Sequence, residues 1–180
     1  MTNWQLKLYG MNFSELDKTG RRVLLASGKT DARYGNGKCS PDFNLFQDSS
    51  PIIQKLSEDL TQIMMQAVKS EVYVYDSFFN ILGAGGGTTP HAHLNALDTD
   101  IGFNLDKQKY SLVYYLSIGD QNCKHPGILK FYKDKLEAKS DKEILPSEGM
   151  IVIFPADTYH SVKYDGNKDR IIVGVNFYSI

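Results

Sequence analysis

Two histidines stand two residues apart in the run Pro90-His91-Ala92-His93, and a third, His160, follows the apolar run Met150–Pro155 far downstream. On an extended strand, His91 and His93 point to the same face, with Cα atoms about 6.6 Å apart. A neighbouring strand can bring His160 alongside this pair. Imidazole ligands suit iron, zinc, copper or nickel better than calcium or magnesium. The pattern therefore predicts a metal site built from three of the four histidines.

The plainer alternative for each histidine is a surface or turn residue that binds no metal. The flanking residues favour the metal site. Gly85, Gly86 and Gly87 precede the pair and permit close backbone approach. The remaining histidine, His125, lies in a polar loop beside a proline, and we do not expect it to be a ligand.

Composition indicates one soluble globular domain spanning residues 1–180. The chain is 42% hydrophobic and 23% charged, and a chain of this length buries about 70% of its unfolded surface without disulfides. Its net charge of −1 provides no long-range field for nucleic acid. The N-terminal residues do not resemble a signal peptide, and no apolar run is long enough to cross a membrane. We therefore expect a cytoplasmic protein.

Periodicity predicts a mainly β fold with a supporting helix. Ser50 offers a helix cap, Pro51 suits the first helical position, and apolar residues recur at helical spacing as far as Val68. The first fifty residues indicate short strands around a long loop. Runs rich in β-branched and aromatic residues follow the helix and favour a barrel or sandwich. These predicted strands are Val72–Tyr75, Tyr110–Leu116, Ile128–Tyr132, Met150–Phe154 and Ile171–Phe177.

The stretch from about Ile81 to Phe177 resembles the double-stranded β-helix of the 2-oxoglutarate- and iron(II)-dependent oxygenases, especially the prolyl-hydroxylase-like branch. It is most similar to an uncharacterised bacterial and phage group whose first metal motif reads His-x-His and then Asn. The resemblance covers little of residues 1–80, which would supply N-terminal strands and the supporting helix. It implies a jelly-roll, cupin-like barrel whose metal- and cosubstrate-binding core is residues 81–180. The matching pieces are His91–Ala96, Ser111–Ser117, Gly127–Tyr132, Pro146–Gly149, His160 and Arg170.

The resemblance also implies roles for individual residues. The three histidines would hold Fe(II), and Arg170 would bind the far carboxylate of 2-oxoglutarate. A guanidinium matches a carboxylate bidentately, and Arg170 is the only arginine after Arg33. Tyr115 would donate its hydroxyl to the same carboxylate, and Leu129 would pack against the methylene carbons. The plainer alternatives are a surface ion pair for Arg170 and barrel core for Tyr115 and Leu129.

One departure from the common oxygenase pattern concerns His93, which stands where most relatives have Asp or Glu. Asp98 and Asp100 are close in sequence, but both have the wrong strand parity relative to the two histidines. Either would reach the metal only if the chain leaves the strand after Asn95. We therefore predict a site of three histidines with Asp98 outside the ligand set.

The implied activity is that of a dioxygenase that hydroxylates a C–H bond and forms succinate and carbon dioxide. One alternative is a cupin-type metal enzyme or sugar-binding module independent of 2-oxoglutarate, since Gly85, the histidine pair and Asp98 resemble the first cupin motif. Another alternative is a non-catalytic β-barrel binding protein. The expected partner is a small-molecule or peptide substrate. No membrane partner is expected, nucleic acid is unsupported, and a homodimer is left open.

Overall fold

The computed structural model describes residues 7–10, 29–30, 36–100, 102–103, 105–134 and 139–180. The predicted helix is confirmed as α1 (Pro51–Val68), with Pro51 in its first turn. The residue after its end, Lys69, has a left-handed backbone and caps the helix by donating its N–H to Met65 O. Ser50 occupies the N-cap position, but its side chain makes no capping hydrogen bond, so the predicted side-chain cap is wrong. Its backbone N–H instead donates to Asp48 Oδ1 at 2.7 Å.

The strands form two antiparallel sheets among the described residues. The strands are β1 (Lys7–Gly10), β2 (Lys29–Thr30), β3 (Gly37–Cys39), β4 (Val72–Leu82), β5 (Gly86–His91), β6 (Lys109–Ser117), β7 (Pro126–Tyr132), β8 (Lys142–Ile144), β9 (Met150–Pro155), β10 (Tyr159–Tyr164) and β11 (Arg170–Ser179). The seven-stranded sheet has the order β1-β9-β6-β11-β4-β3-β2, and the four-stranded sheet has the order β5-β10-β7-β8.

The connectivity from β4 to β11 is that of a jelly roll, because the chain passes repeatedly between the two sheets. The five predicted strands are confirmed within β4, β6, β7, β9 and β11. Three further strands of this region, β5, β8 and β10, lie outside the five predicted apolar runs. A strand at His91 was expected only from the His-x-His spacing, because β5 reads Gly-Gly-Thr-Thr-Pro-His and lacks the apolar alternation that marks a strand in sequence.

The seven-stranded sheet is covered on both faces. On β6, Leu112 and Tyr114 pack towards α1, whereas Val113 and Tyr115 point towards the four-stranded sheet. Burial of both faces explains why its central strands read as nearly continuous apolar runs. The described helices include none long and apolar enough to cross a membrane. The core between the two sheets consists of Val113, Tyr115, Leu129, Phe131, Val152, Phe154 and Ile172.

Candidate metal centre

Strand pairing brings the three predicted histidines together. In the four-stranded sheet, β10 lies between β5 and β7, and His160 is the register partner of His91. The ring centroid of His160 is 4.4 Å from that of His91 and 4.8 Å from that of His93. One candidate ligand atom from each histidine lies within 4.8 Å of the others. This cluster has the size and donor chemistry of a transition-metal site.

The histidine pair does not share one strand, as the sequence analysis assumed. β5 ends at His91, and His93 lies beyond it, where its backbone N–H donates to Ala156 O at 2.9 Å. Their rings nevertheless converge, with centroids 5.3 Å apart. The contact with Ala156, just beyond β9, therefore positions His93 in place of strand geometry.

Each histidine has its Nδ1 hydrogen-bonded to a protein oxygen. His91 Nδ1 lies 2.8 Å from Thr89 O, and His160 Nδ1 lies 3.0 Å from Thr158 O. Since a carbonyl oxygen only accepts, Nδ1 carries the proton in both rings and Nε2 keeps its lone pair. His93 Nδ1 likewise lies 2.8 Å from the side-chain oxygen of Asn176. Such outer contacts orient the rings and leave one nitrogen of each for a metal.

Burial keeps the deeper histidines neutral. Desolvation, reinforced by the neighbouring His91, lowers the pKa of His93 to about 4. Desolvation also lowers the pKa of His160 well below its usual value, and the other two histidines add to the effect. Neutral imidazole is the form that binds a metal, so these residues fit a bound transition metal near neutral pH.

Asp98 lies outside the histidine cluster, as predicted. Its carboxylate is fully buried and accepts hydrogen bonds from Lys109 Nζ at 2.8 Å, from Asn95 N at 2.7 Å and from the Tyr178 hydroxyl. Burial alone would raise the pKa of Asp98, but these donors outweigh it and lower the pKa. Asp98 therefore neutralises Lys109 and is not available to a metal.

The other candidate ligands also lie elsewhere. Asp100 is exposed, and its Oδ1 accepts from Gly102 N at 2.8 Å. His125 is 3.7 Å from the carboxylate of Asp165, with both side chains partly exposed. Neither belongs to the metal-ligand cluster found among the described residues.

Substituting Asp98 with Asn is expected to destabilise the fold without changing metal affinity. Removing one partner of a buried ion pair costs about 3–5 kcal/mol, here because Lys109 would stay buried without its carboxylate. Chemical denaturation measures this loss, and titration with Ni(II) measures the metal affinity. A collapse of Ni(II) binding with unchanged unfolding free energy would show instead that Asp98 is a ligand.

The histidines open onto a cavity of about 360 Å³ between the two sheets. All six residues predicted as site residues line this cavity. None of the described residues between 98 and 108 lines it, whereas Leu94 and Asn95, just before them, do so. Phe43, which precedes α1, also lies at the cavity and is 49% exposed. The six predicted residues are His91, His93, Tyr115, Leu129, His160 and Arg170.

Arg170 is the first residue of β11 and is only 2% exposed. Among the described residues, no carboxylate forms an ion pair with it, and its Nε has no hydrogen-bond partner. The hydroxyl of fully buried Tyr115 makes no well-aligned hydrogen bond and lies beside Arg170, whose guanidinium carbon is 5.1 Å from the Tyr115 ring centroid. An unpaired buried charge is costly. The cavity therefore offers a cation and a hydroxyl without a counterpart, which suits an anionic ligand.

A glycine makes room for this arginine. Gly127 has φ +79°, and a Cβ there would lie 2.8 Å from both Cδ and Nε of Arg170. On the same strand, Leu129 lines the cavity and packs in the core between the sheets. Strand β7 thus provides both the space for Arg170, at Gly127, and the apolar wall beside it, at Leu129.

The structure adds polar residues that the sequence analysis missed. Asn176 and Ser111 are buried on β11 and β6, and Asp76 faces the cavity from β4. Their sequence signal is weak: each is a polar residue inside a run that otherwise reads as strand core. Only strand register shows that they meet behind His93.

No protein-family model and no curated protein sequence matches the chain. Solved structures do match. A prolyl-4-hydroxylase from Pseudomonas putida superposes with a TM-score of 0.67 at 16% identity, covering 99% of this chain and 94% of that one. The viral collagen prolyl hydroxylase of Paramecium bursaria Chlorella virus-1, in its 2-oxoglutarate complex, gives 0.67 at 14% identity, covering 97% and 96%.

HygX from Streptomyces hygroscopicus, with nickel and 2-oxoglutarate bound, gives a TM-score of 0.71 at 12% identity, covering 97% of this chain and 82% of that one. The chain therefore has the double-stranded β-helix fold of the 2-oxoglutarate- and iron(II)-dependent oxygenases. The predicted fold class is confirmed.

Proposed function

We propose that the protein is a 2-oxoglutarate- and iron(II)-dependent dioxygenase that hydroxylates a C–H bond, with succinate and carbon dioxide as coproducts. The observation that carries this proposal is Arg170, a buried cation without an anionic partner among the described residues. It lines the same cavity as the three histidines. The histidine cluster could hold a metal, and an anion-binding residue lies in the same cavity. This combination fits a dicarboxylate cosubstrate that chelates the metal.

The proposed roles follow from the contacts of each residue. His91, His93 and His160 would hold Fe(II) through Nε2, because every Nδ1 already has a hydrogen-bond partner. Arg170 and Tyr115 would bind the far carboxylate of 2-oxoglutarate. Burial raises the pKa of Tyr115, so its hydroxyl keeps its proton and can donate. Leu129 would pack against the methylene carbons.

When bound, iron and 2-oxoglutarate supply the oxidising chemistry, and the chain supplies binding, orientation and exclusion of water. Aromatic side chains would contribute to this exclusion. Phe78 lines the cavity 6.1 Å from the His93 ring, and Phe154 packs in the core between the sheets 4.9 Å from the His160 ring, measured between centroids. These rings also restrict the orientations that the two imidazoles can adopt.

Charge balance is consistent with a site that has no carboxylate ligand. Three neutral imidazoles leave the +2 charge of Fe(II) unchanged. Of the two negative charges of 2-oxoglutarate, the far carboxylate would pair with Arg170 and the metal-side carboxylate would offset part of the metal charge. The nearby carboxylate of Asp98 is already offset by Lys109. The site therefore depends on its cosubstrate for charge compensation more than a site with an Asp ligand would.

The two alternative functions have weaker support. A cupin-type site would use Asp98 beside the histidine pair, but Asp98 is bonded to Lys109, Asn95 and Tyr178. A cosubstrate-independent enzyme, or a sugar-binding module, also gives buried Arg170 no role. A non-catalytic binding protein would account for the unpaired cation but would give the three converging imidazoles no chemical role.

The substrate is proposed only as a small molecule or a peptide. Among proteins of similar fold, a Trichoplax adhaerens prolyl hydroxylase was solved with a hypoxia-inducible-factor peptide fragment, and HygX with hygromycin B. We further propose that residues 1–180 form one oxygenase domain, with residues 1–80 supporting the core of residues 81–180. Cytoplasmic location stays a prediction from the sequence, and the sequence leaves a homodimer open.

Aerobic incubation with Fe(II) and 2-oxoglutarate tests the proposal without knowledge of the substrate. We expect slow, uncoupled conversion of 2-oxoglutarate to succinate, because the cavity binds metal and cosubstrate together. Succinate is measured by chromatography, with the His160→Ala variant as the control. If the metal-loaded protein forms no more succinate than this variant, the proposed activity is wrong.

A further inference from the structure

Two polar side chains, Asn176 and Ser111, lie directly behind His93, and Asn176 connects it to a carboxylate. Asn176 Nδ2 donates to Asp76 Oδ1 at 2.7 Å. The other end of the same amide, Asn176 Oδ1, is 2.8 Å from His93 Nδ1 and accepts from Ser111 Oγ at 2.6 Å. Asp76, Asn176 and His93 therefore form a continuous hydrogen-bonded chain from β4 through β11 to the histidine cluster.

A bulge in β4 places Asp76 at the start of this chain. Asn176 is the register partner of Asp76, whereas the next residue, Phe177, pairs with Val74. Tyr75 is thus an extra residue on β4, and both Tyr75 and Asp76 line the cavity. Bulges commonly redirect side chains in this way beside functional sites.

The carboxylate decides which way the Asn176 amide points. A carboxylate only accepts hydrogen bonds, so Asn176 must present its NH₂ group to Asp76 and its oxygen to His93. The reversed amide would set two acceptor oxygens 2.7 Å apart. An accepting oxygen beside His93 Nδ1 requires the proton on Nδ1, which leaves the Nε2 lone pair for a metal. Because Asn176 is only 3% exposed, bulk water does not readily replace these partners.

We propose that Asp76 is a positioning residue that, through Asn176, fixes the Nδ1-protonated tautomer of His93. His91 and His160 obtain this tautomer from backbone carbonyls, which cannot invert. His93 is the one member of the cluster whose Nδ1 partners are side chains. The consequence for metal binding rests on the function proposed above, whereas the tautomer is a property of the metal-free protein.

Asp76→Asn is the variant that tests this role. The side chain keeps its size, but an amide opposite Asn176 permits both orientations of the pair, so His93 should become a mixture of tautomers. Loss of an outer-shell partner of a metal ligand typically costs about 10–100-fold in metal affinity, and we expect at least the lower end of that range. Asp76→Glu, which keeps a carboxylate, should recover part of the loss.

Two measurements read out the result. Nitrogen NMR of the metal-free protein, labelled with ¹⁵N-histidine, reports the tautomer of His93, and titration with Ni(II) reports affinity. Asp165→Asn is the matched control, because it makes the same substitution beside His125, outside the histidine cluster. It should keep the parent tautomer and an affinity close to that of the parent.

A single Nδ1-protonated tautomer and an unchanged Ni(II) dissociation constant in Asp76→Asn would overturn the proposal. Circular dichroism shows whether the variant is folded, and Asp76→Glu gives a second reading if it is not. If the parent protein binds no Ni(II) but the His93 tautomer still changes in Asp76→Asn, the positioning role stands and the proposed function fails.

Discussion

Replacing His160 with Ala should abolish tight binding of iron(II). His160 is buried beside both His91 and His93 in the ring cluster, and its Nδ1 is already bonded to Thr158 O, so its Nε2 is the nitrogen left for a metal. Losing an outer-shell contact alone costs about 10–100-fold in metal affinity, and we expect loss of a ligand to exceed about 100-fold. Anaerobic titration with Fe(II) measures the change.

His125→Ala is the matched control for this experiment. It also removes an imidazole, but His125 lies beside Asp165, outside the cluster, and is partly exposed. Its iron affinity should equal that of the parent protein. Equal iron affinity in His160→Ala and the parent would show that the third ligand has been assigned wrongly.

Replacing Arg170 with Ala should weaken 2-oxoglutarate binding and leave iron binding intact. A hydrogen bond to a charged group contributes about 1.5–3 kcal/mol, which corresponds to roughly tenfold to a hundredfold in affinity. Arg170 has no described carboxylate partner that would otherwise account for its charge. Titration of the iron-loaded variant with 2-oxoglutarate, without oxygen, measures the loss.

Stability separates a binding role for Arg170 from a structural one. Its guanidinium is buried without an ion-pair partner among the described residues, so Arg170→Met removes an unfavourable charge while filling similar space. We expect the metal-free variant to unfold at the same or a higher temperature than the parent. If it unfolds well below the parent, and its 2-oxoglutarate affinity is unchanged, Arg170 is a structural residue and the carboxylate binds elsewhere.

Sequence was sufficient to predict the parts of the site that depend on residue type and order. The three histidines were recognisable because imidazoles are few in this chain and two of them are closely spaced. The central strands were recognisable because burial on both faces requires long apolar runs. α1 was recognisable from its apolar period, with Pro51 at its start.

The parts that sequence could not predict depend on register and on side-chain partners. His93 was assigned to a strand, but a contact with Ala156 O holds it beyond the end of β5. Asp76 and Asn176 are one hundred residues apart and meet only through the register of β4 with β11. The extra residue Tyr75 changes the alternation of β4, so counting from the sequence gives no sign of where Asp76 points.

Anaerobic addition of Fe(II) and then 2-oxoglutarate to the parent protein, followed by visible absorption, tests whether one cavity binds both. We expect a metal-to-ligand charge-transfer band that requires both additions, because the three histidines and Arg170 line a single cavity. The band should be absent in His160→Ala and should need more 2-oxoglutarate in Arg170→Ala. Bound iron without any band at saturating 2-oxoglutarate would show that this cavity does not bind the two together.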